Sequence, residues 1–99
     1  MRGAEGAEEV VRVRLPQRRE REVLAVVEKL LGGRRAKVQC LDGVERLARI
    51  PGRLKRRKWV KAGDVVIIVP WDFQDAKADL IYRYEQPQVE WLRKKGYLN

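Results

Sequence analysis

The sequence predicts an all-β domain: a five-stranded closed barrel, a short helical turn between strands three and four, and a C-terminal α-helix. Five short segments have strand composition or alternation, and Gly, Pro or Asp-Gly turns separate them. One segment, Gln86–Lys95, carries helix start and stop signals. Ninety-nine residues make one domain with a small core, and an open sheet of five short strands would leave edges that closure into a barrel removes.

Residues 1–21 mix Gly, Ala, Glu and Arg without sustained periodicity and read as a flexible charged arm, ordered at most near its end. Residues 22–85 hold the barrel. Glu22–Leu31 is compatible with a helix through Leu24, Val27 and Leu31, or with a strand through Val23, Val26 and Val27 followed by a Gly32-Gly33 turn. Ala36–Leu41 alternates cleanly and ends in the turn pair Asp42-Gly43. Val44–Ile50 reads as the third strand with imperfect alternation and unassigned faces, stopped by Pro51-Gly52. Leu54–Trp59 has room for a single helical turn. Asp64–Trp71 is strongly β-branched, and Pro70 marks where its pairing stops or bulges. Ala78–Tyr84 is the fifth strand. Residues 86–99 form the terminal helix, expected to pack on the barrel, with Pro87 in its first turn and Gly96 as its stop.

Charge is spread very unevenly over these segments. The chain has 23 Lys and Arg against 14 Asp and Glu, net +9. Residues 46–61 alone hold eight cations and no acid: Arg46, Arg49, Arg53, Lys55, Arg56, Arg57, Lys58 and Lys61. Such a run repels itself, and a bound polyanion relieves the repulsion and releases counterions. The run therefore points to nucleic acid, although a solvated face or a localisation signal has the same composition. A five-stranded barrel that binds nucleic acid is the oligonucleotide-binding (OB) fold.

Composition also excludes. Without His there is no Ser-His or Cys-His nucleophile pair, and with a single Cys no Cys/His zinc site and no internal disulfide. Cys40 falls on the apolar face of its strand. Asp72, Asp75 and Asp79 are better explained as turn formers than as an acid/base or magnesium site. Gly32-Gly33-Arg34-Arg35 lacks the P-loop pattern. The sequence thus predicts no enzyme, no cofactor and no metal. With no apolar run near the roughly 20 residues of a membrane span and no signal peptide, it predicts a cytoplasmic protein.

The expected RNA-binding residues are Arg34, Arg46, Arg53, Lys55, Arg56, Arg57, Lys58, Trp59 and Lys61, with Arg35 and Lys37 extending the strip; Arg46 joins only if it faces outward. They would mostly grip phosphates. No aromatic lies on strands two or three, so shape and backbone recognition of folded RNA is favoured over stacking on successive bases. For Trp59 packing is favoured over stacking, with stacking kept as the alternative; for Trp71 and Phe73 core or rim packing is the default, with exposure at a loop as the alternative.

Several blocks in order resemble one family. They are Leu41-Asp42-Gly43, the run from Arg49 to Val60, Pro70-Trp71-Asp72-Phe73-Gln74-Asp75, the run from Lys77 to Tyr84, and the ending Gln88 to Leu98. Together they resemble archaeal translation initiation factor 1A. The resemblance implies an S1-like OB barrel and binding at the decoding A site of the small ribosomal subunit through rRNA. It also implies support of the initiator tRNA and mRNA complex, with other initiation factors as further partners. By position it implies that Arg53, Lys55, Arg56, Arg57, Lys58 and Trp59 contact rRNA, with Arg34 and Arg46 as weaker matches. Eukaryotic relatives carry a long acidic tail, whereas this sequence stops at Asn99. The net charge favours a monomer. The rival readings are a cold-shock-type single-stranded RNA chaperone, a protein-interaction module using the C-terminal helix and the Trp71–Asp75 loop, and, more distantly, a metal-dependent nuclease.

Overall fold

In the computed structural model, which describes residues 13–52 and 60–98, the ambiguous Glu22–Leu31 segment is a strand. This strand, β1, spans Val23–Leu31. It pairs antiparallel with two neighbours, β2 (Arg35–Cys40) and β4 (Val65–Pro70). Local periodicity allowed a helix; ladders on both sides decide for the strand. The third and fifth strands are β3 (Glu45–Arg49) and β5 (Lys77–Arg83).

The strands close into a barrel in the order β1-β2-β3-β5-β4. Adjacent strands are antiparallel except β3 and β5, which run parallel with Leu47 opposite Lys77, Ala48 opposite Ala78 and Arg49 opposite Asp79. This is the five-stranded barrel expected of an S1-like OB fold. The register shifts between Val27 and Lys29 on β1 and between Ile67 and Ile68 on β4. Such bulges increase the local bend that closure requires.

The interior follows from strand alternation. Ala25 and Val27, Ala36, Val38 and Cys40, Ala48, Val66 and Ile68, and Ala78 and Leu80 form the core with Val60. Ala36 lies opposite Ala48, and Ala48 opposite Ala78, so three fully buried alanines stand abreast on β2, β3 and β5. Alanine is a poor strand former; here its small volume suits a narrow interior. Asp42-Gly43 is the expected turn, with Gly43 at φ +91° and the Asp42 carboxylate accepting from the Val44 N–H at 3.1 Å. β4 ends at Pro70, whose register partner is Ala78.

The described residues between 16 and 83 form one compact unit; residues 13–15 and 84–98 belong to another. The second contains α1 (Gln86–Lys94), which starts with a capping box between Glu85 and Gln88 and carries Pro87 in its first turn. Gly96 follows it at φ +87°. Within that unit Trp91 stacks on Tyr97, and the Tyr84 hydroxyl donates to the Arg14 carbonyl. Of the N-terminal arm, a 3-10 turn at Arg18–Glu20 is described. Among the described residues no helix is long and apolar enough to cross a membrane. The helical turn expected at Leu54–Trp59 lies outside the described residues.

Candidate nucleic-acid interface

Six of the nine expected binding residues, Arg53, Lys55, Arg56, Arg57, Lys58 and Trp59, lie outside the described residues. The structure describes the two ends of that segment. At one end the Ile50 N–H donates to the Arg34 carbonyl at 2.9 Å. There a side chain at Gly52 would come within 3.1 Å of the Arg34 guanidinium. At the other end Lys61 begins a turn closed by the Asp64 N–H on the Lys61 carbonyl at 3.0 Å. That turn hangs on β1 through the Gly63 N–H, which donates to the Val27 carbonyl at 2.8 Å.

Arg34 is exposed and sits in the left-handed region at φ +56°, after Gly33 at φ +71°. Such a backbone costs a side-chain-bearing residue about 1–2 kcal/mol. Next to it, Arg35 on β2 lies directly opposite Arg49 on β3. Like charges facing across a ladder are destabilising. Arg49 is compensated by Asp79 at 3.0 Å, whereas Arg35 donates to the Gly32 carbonyl at 3.0 Å. Arg34, Arg35 and Lys61 have no carboxylate partner among the described residues; Arg21, Lys37, Arg49 and Arg83 each have one, and Arg46 has two.

Arg46 is not on this face. Even-numbered positions of β3 point inward, so Arg46 shares the parity of Ala48 and is only 5% exposed. Its Nε donates to the Asp75 carbonyl at 2.7 Å, one Nη to the Asp75 carboxylate at 3.0 Å and the other to Asp42 at 3.2 Å. Burial opposes its charge, but hydrogen bonds to Asp42, Cys40 and Asp75 outweigh it and hold the guanidinium pKa above the usual arginine value. Asp42 is likewise held below the usual carboxylate range: burial opposes ionisation, and the Arg46 and Val44 hydrogen bonds prevail. Burial raises the Cys40 thiol pKa. The outward condition set for Arg46 is therefore not met, and its donors are committed inside the protein.

The chain itself concealed a second feature. Trp71 follows β4 and is flanked by cations from two other strands, Arg49 at 5.2 Å and Lys77 at 5.7 Å from the ring centre. Phe73, two residues on, is 98% exposed, so packing is not its role. Arg49, Pro70, Trp71, Asp72, Phe73 and Asp79 contribute to the lining of an open groove of about 630 Å³. The Pro70–Asp75 block in the sequence marked the loop, and for Phe73 the exposed alternative holds over the default of packing. Among the described residues no group of His, Cys, Asp or Glu is arranged to hold a metal ion.

A family model described as Translation initiation factor 1A / IF-1 matches residues 11–99. Translation initiation factor 1A of Archaeoglobus fulgidus is 56% identical over 91 residues, covering 92% of this chain and 94% of the relative. Translation initiation factor 1A 1 of Methanosarcina mazei is 56% identical over 91 residues, covering 92% of this chain and 82% of the relative. Translation initiation factor 1A of Methanococcus maripaludis is 52% identical over 99 residues, covering 99% of this chain and 96% of the relative.

Proposed function

We propose that this chain, which belongs to the translation initiation factor 1A / IF-1 family, binds folded rRNA at the decoding A site of the small ribosomal subunit. Membership gives it a non-enzymatic role in translation initiation, with the ribosome and the initiation machinery as partners. In the proposed role it acts as a cytoplasmic monomer and favours the initiator tRNA and mRNA complex from that site.

The observation that carries the reading is that Arg34, Arg35 and Lys61 have no carboxylate partner among the described residues. Arg34, at one end of the 53–59 segment, and Lys61, beyond the other, bracket a run that adds Arg53, Lys55, Arg56, Arg57 and Lys58. Arg35 extends the strip along β2, opposite Arg49. The unpaired charges of Arg34, Arg35 and Lys61 suit phosphate contacts, which position a protein on folded RNA. Trp59 is assigned to the same contact surface. Arg46 contributes by holding the fold.

The test is binding of the labelled chain to purified small subunits across a salt series, beside an unstructured RNA of matched length. Saturable binding to the subunit alone is expected, steeply weakened by salt. Charge reversal at Arg56 and Arg57 should weaken binding and flatten the logarithmic salt slope by about 1–2, with an unchanged thermal melt. Equal binding to both RNAs would reduce the protein to a general RNA binder, as in the cold-shock reading.

A further inference from the structure

The outward residues of β2, β3 and β5 form two rows across the sheet. In one row Arg35 lies opposite Arg49 and Arg49 opposite Asp79; in the other Lys37 lies opposite Leu47 and Leu47 opposite Lys77. Trp71, just beyond β4, lies against this face, with the Arg49 guanidinium 5.2 Å and the Lys77 ammonium 5.7 Å from its ring centre. Its backbone N–H donates to the Lys77 carbonyl at 2.9 Å. A buried indole N–H ordinarily finds an acceptor, but Trp71 Nε1 is buried with no partner among the described residues. The ring is therefore placed for its face, which attracts cations, and not for its hydrogen bond.

Arg35, Leu47, Arg49, Trp71 and Lys77 contribute to the lining of a cleft of about 130 Å³, separate from the groove at Phe73. Among the described residues none that lines this cleft is acidic. Asp79 pairs with Arg49 and Glu45 with Lys37. Arg35 and Lys77 have no carboxylate partner among the described residues. Three cations on one small cleft against one carboxylate leave a net charge of +2, and an anion seated between them relieves their repulsion. We infer that this cleft holds one backbone phosphate of the bound RNA, gripped by Arg35 and Lys77, with Trp71 as the residue that positions Lys77. The contact strip then runs from β2 across β3 to β5, two strand spacings or roughly 10 Å, as well as along residues 53–61. That the phosphate belongs to RNA rests on the function proposed above; that the occupant is an anion rests on the cleft.

The experiment uses the full chain and purified small subunits over a salt series. Lys77→Gln should weaken binding about threefold to tenfold and flatten the logarithmic salt slope by about 1, with an unchanged thermal melt. Lys77→Arg should keep both affinity and slope. Trp71→Phe, which retains an aromatic face, should bind nearly as well as the parent. Trp71→Leu should bind more weakly, and its loss should shrink in the Lys77→Gln background, because it acts through Lys77. A photo-crosslinking residue at position 47 should couple to rRNA. Unchanged affinity and slope of Lys77→Gln would overturn the inference; if Trp71→Leu still weakened binding, base stacking on Trp71 would replace it. Strictly additive losses in the double variant, or crosslinks to protein alone, would also overturn it, the latter giving the cleft to an acidic polypeptide. Should Trp71→Leu melt early, Lys77→Gln and the crosslink decide. If such results accompany normal binding of the unaltered chain, the proposed function stands without the inference; if the unaltered chain fails to bind subunits, both fall.

Discussion

Arg46 and Asp75 are joined twice, through the Asp75 carbonyl at 2.7 Å and its carboxylate at 3.0 Å. The same guanidinium holds Asp42 at 3.1 Å, so one buried cation ties the β2–β3 turn to the loop before β5. Arg46→Ala is expected to destabilise the fold by about 2 kcal/mol, less than the loss for a fully buried pair because both carboxylates reach solvent. Urea unfolding measures this. Arg46→Lys should recover only part of it, since an ammonium cannot reproduce the fork.

Asp42 makes this clamp dependent on pH. Its folded pKa lies below the ordinary value of 3.8. The folded state therefore holds the charge more tightly than the unfolded chain does. The contribution is fully present above the unfolded pKa and is lost as pH falls through the lower folded one. Asp42→Asn should be less stable at pH 7 and lose less stability than the parent on acidification below about pH 4. Unfolding curves over pH 2–7 test both signs.

Arg34 allows binding and folding to be separated. Its left-handed backbone, φ +56°, suits Asn better than Arg. Arg34→Asn should leave the melting temperature unchanged or higher. If Arg34 meets RNA phosphate, subunit affinity should nevertheless fall about threefold to tenfold. A melting temperature that falls together with affinity would assign Arg34 to the fold.

Asp64 braces the far end of the basic segment. One carboxylate oxygen accepts from the Lys61 N–H at 2.7 Å and from Arg83 Nε at 2.9 Å. Asp64→Ala should cost about 2 kcal/mol, and hydrogen exchange at the Lys61 amide should accelerate.

Four of the five strands, a terminal helix and the basic segment were legible in the sequence because each depends on local properties: alternation, turn residues and unbalanced charge. The faces of β3 were not. In Glu45–Arg49, Arg46 and Arg49 belong to the same cationic run, yet one is buried and the other outward. An inward Arg reads as broken alternation unless Asp42 and Asp75 are known to meet it. Trp71 was likewise read as packing; its neighbours Arg49 and Lys77 come from two other strands.

Sequence alone sufficed for four of the five strands, the excess of cations in residues 46–61 and the absence of His-based chemistry. Those depend on composition and short-range order. Tertiary structure decided that Glu22–Leu31 is a strand, because ladders to β2 and β4 satisfy its backbone on both sides. It also decided which cations are available. Barrel closure brings Asp75 and Asp79 to Arg46 and Arg49, beside the local Asp42–Arg46 pair, but leaves Arg34, Arg35 and Lys61 without carboxylate partners among the described residues. Pairing across strands is a matter of distance in space, and closure of the barrel sets the distances from Arg46 to Asp75 and from Arg49 to Asp79.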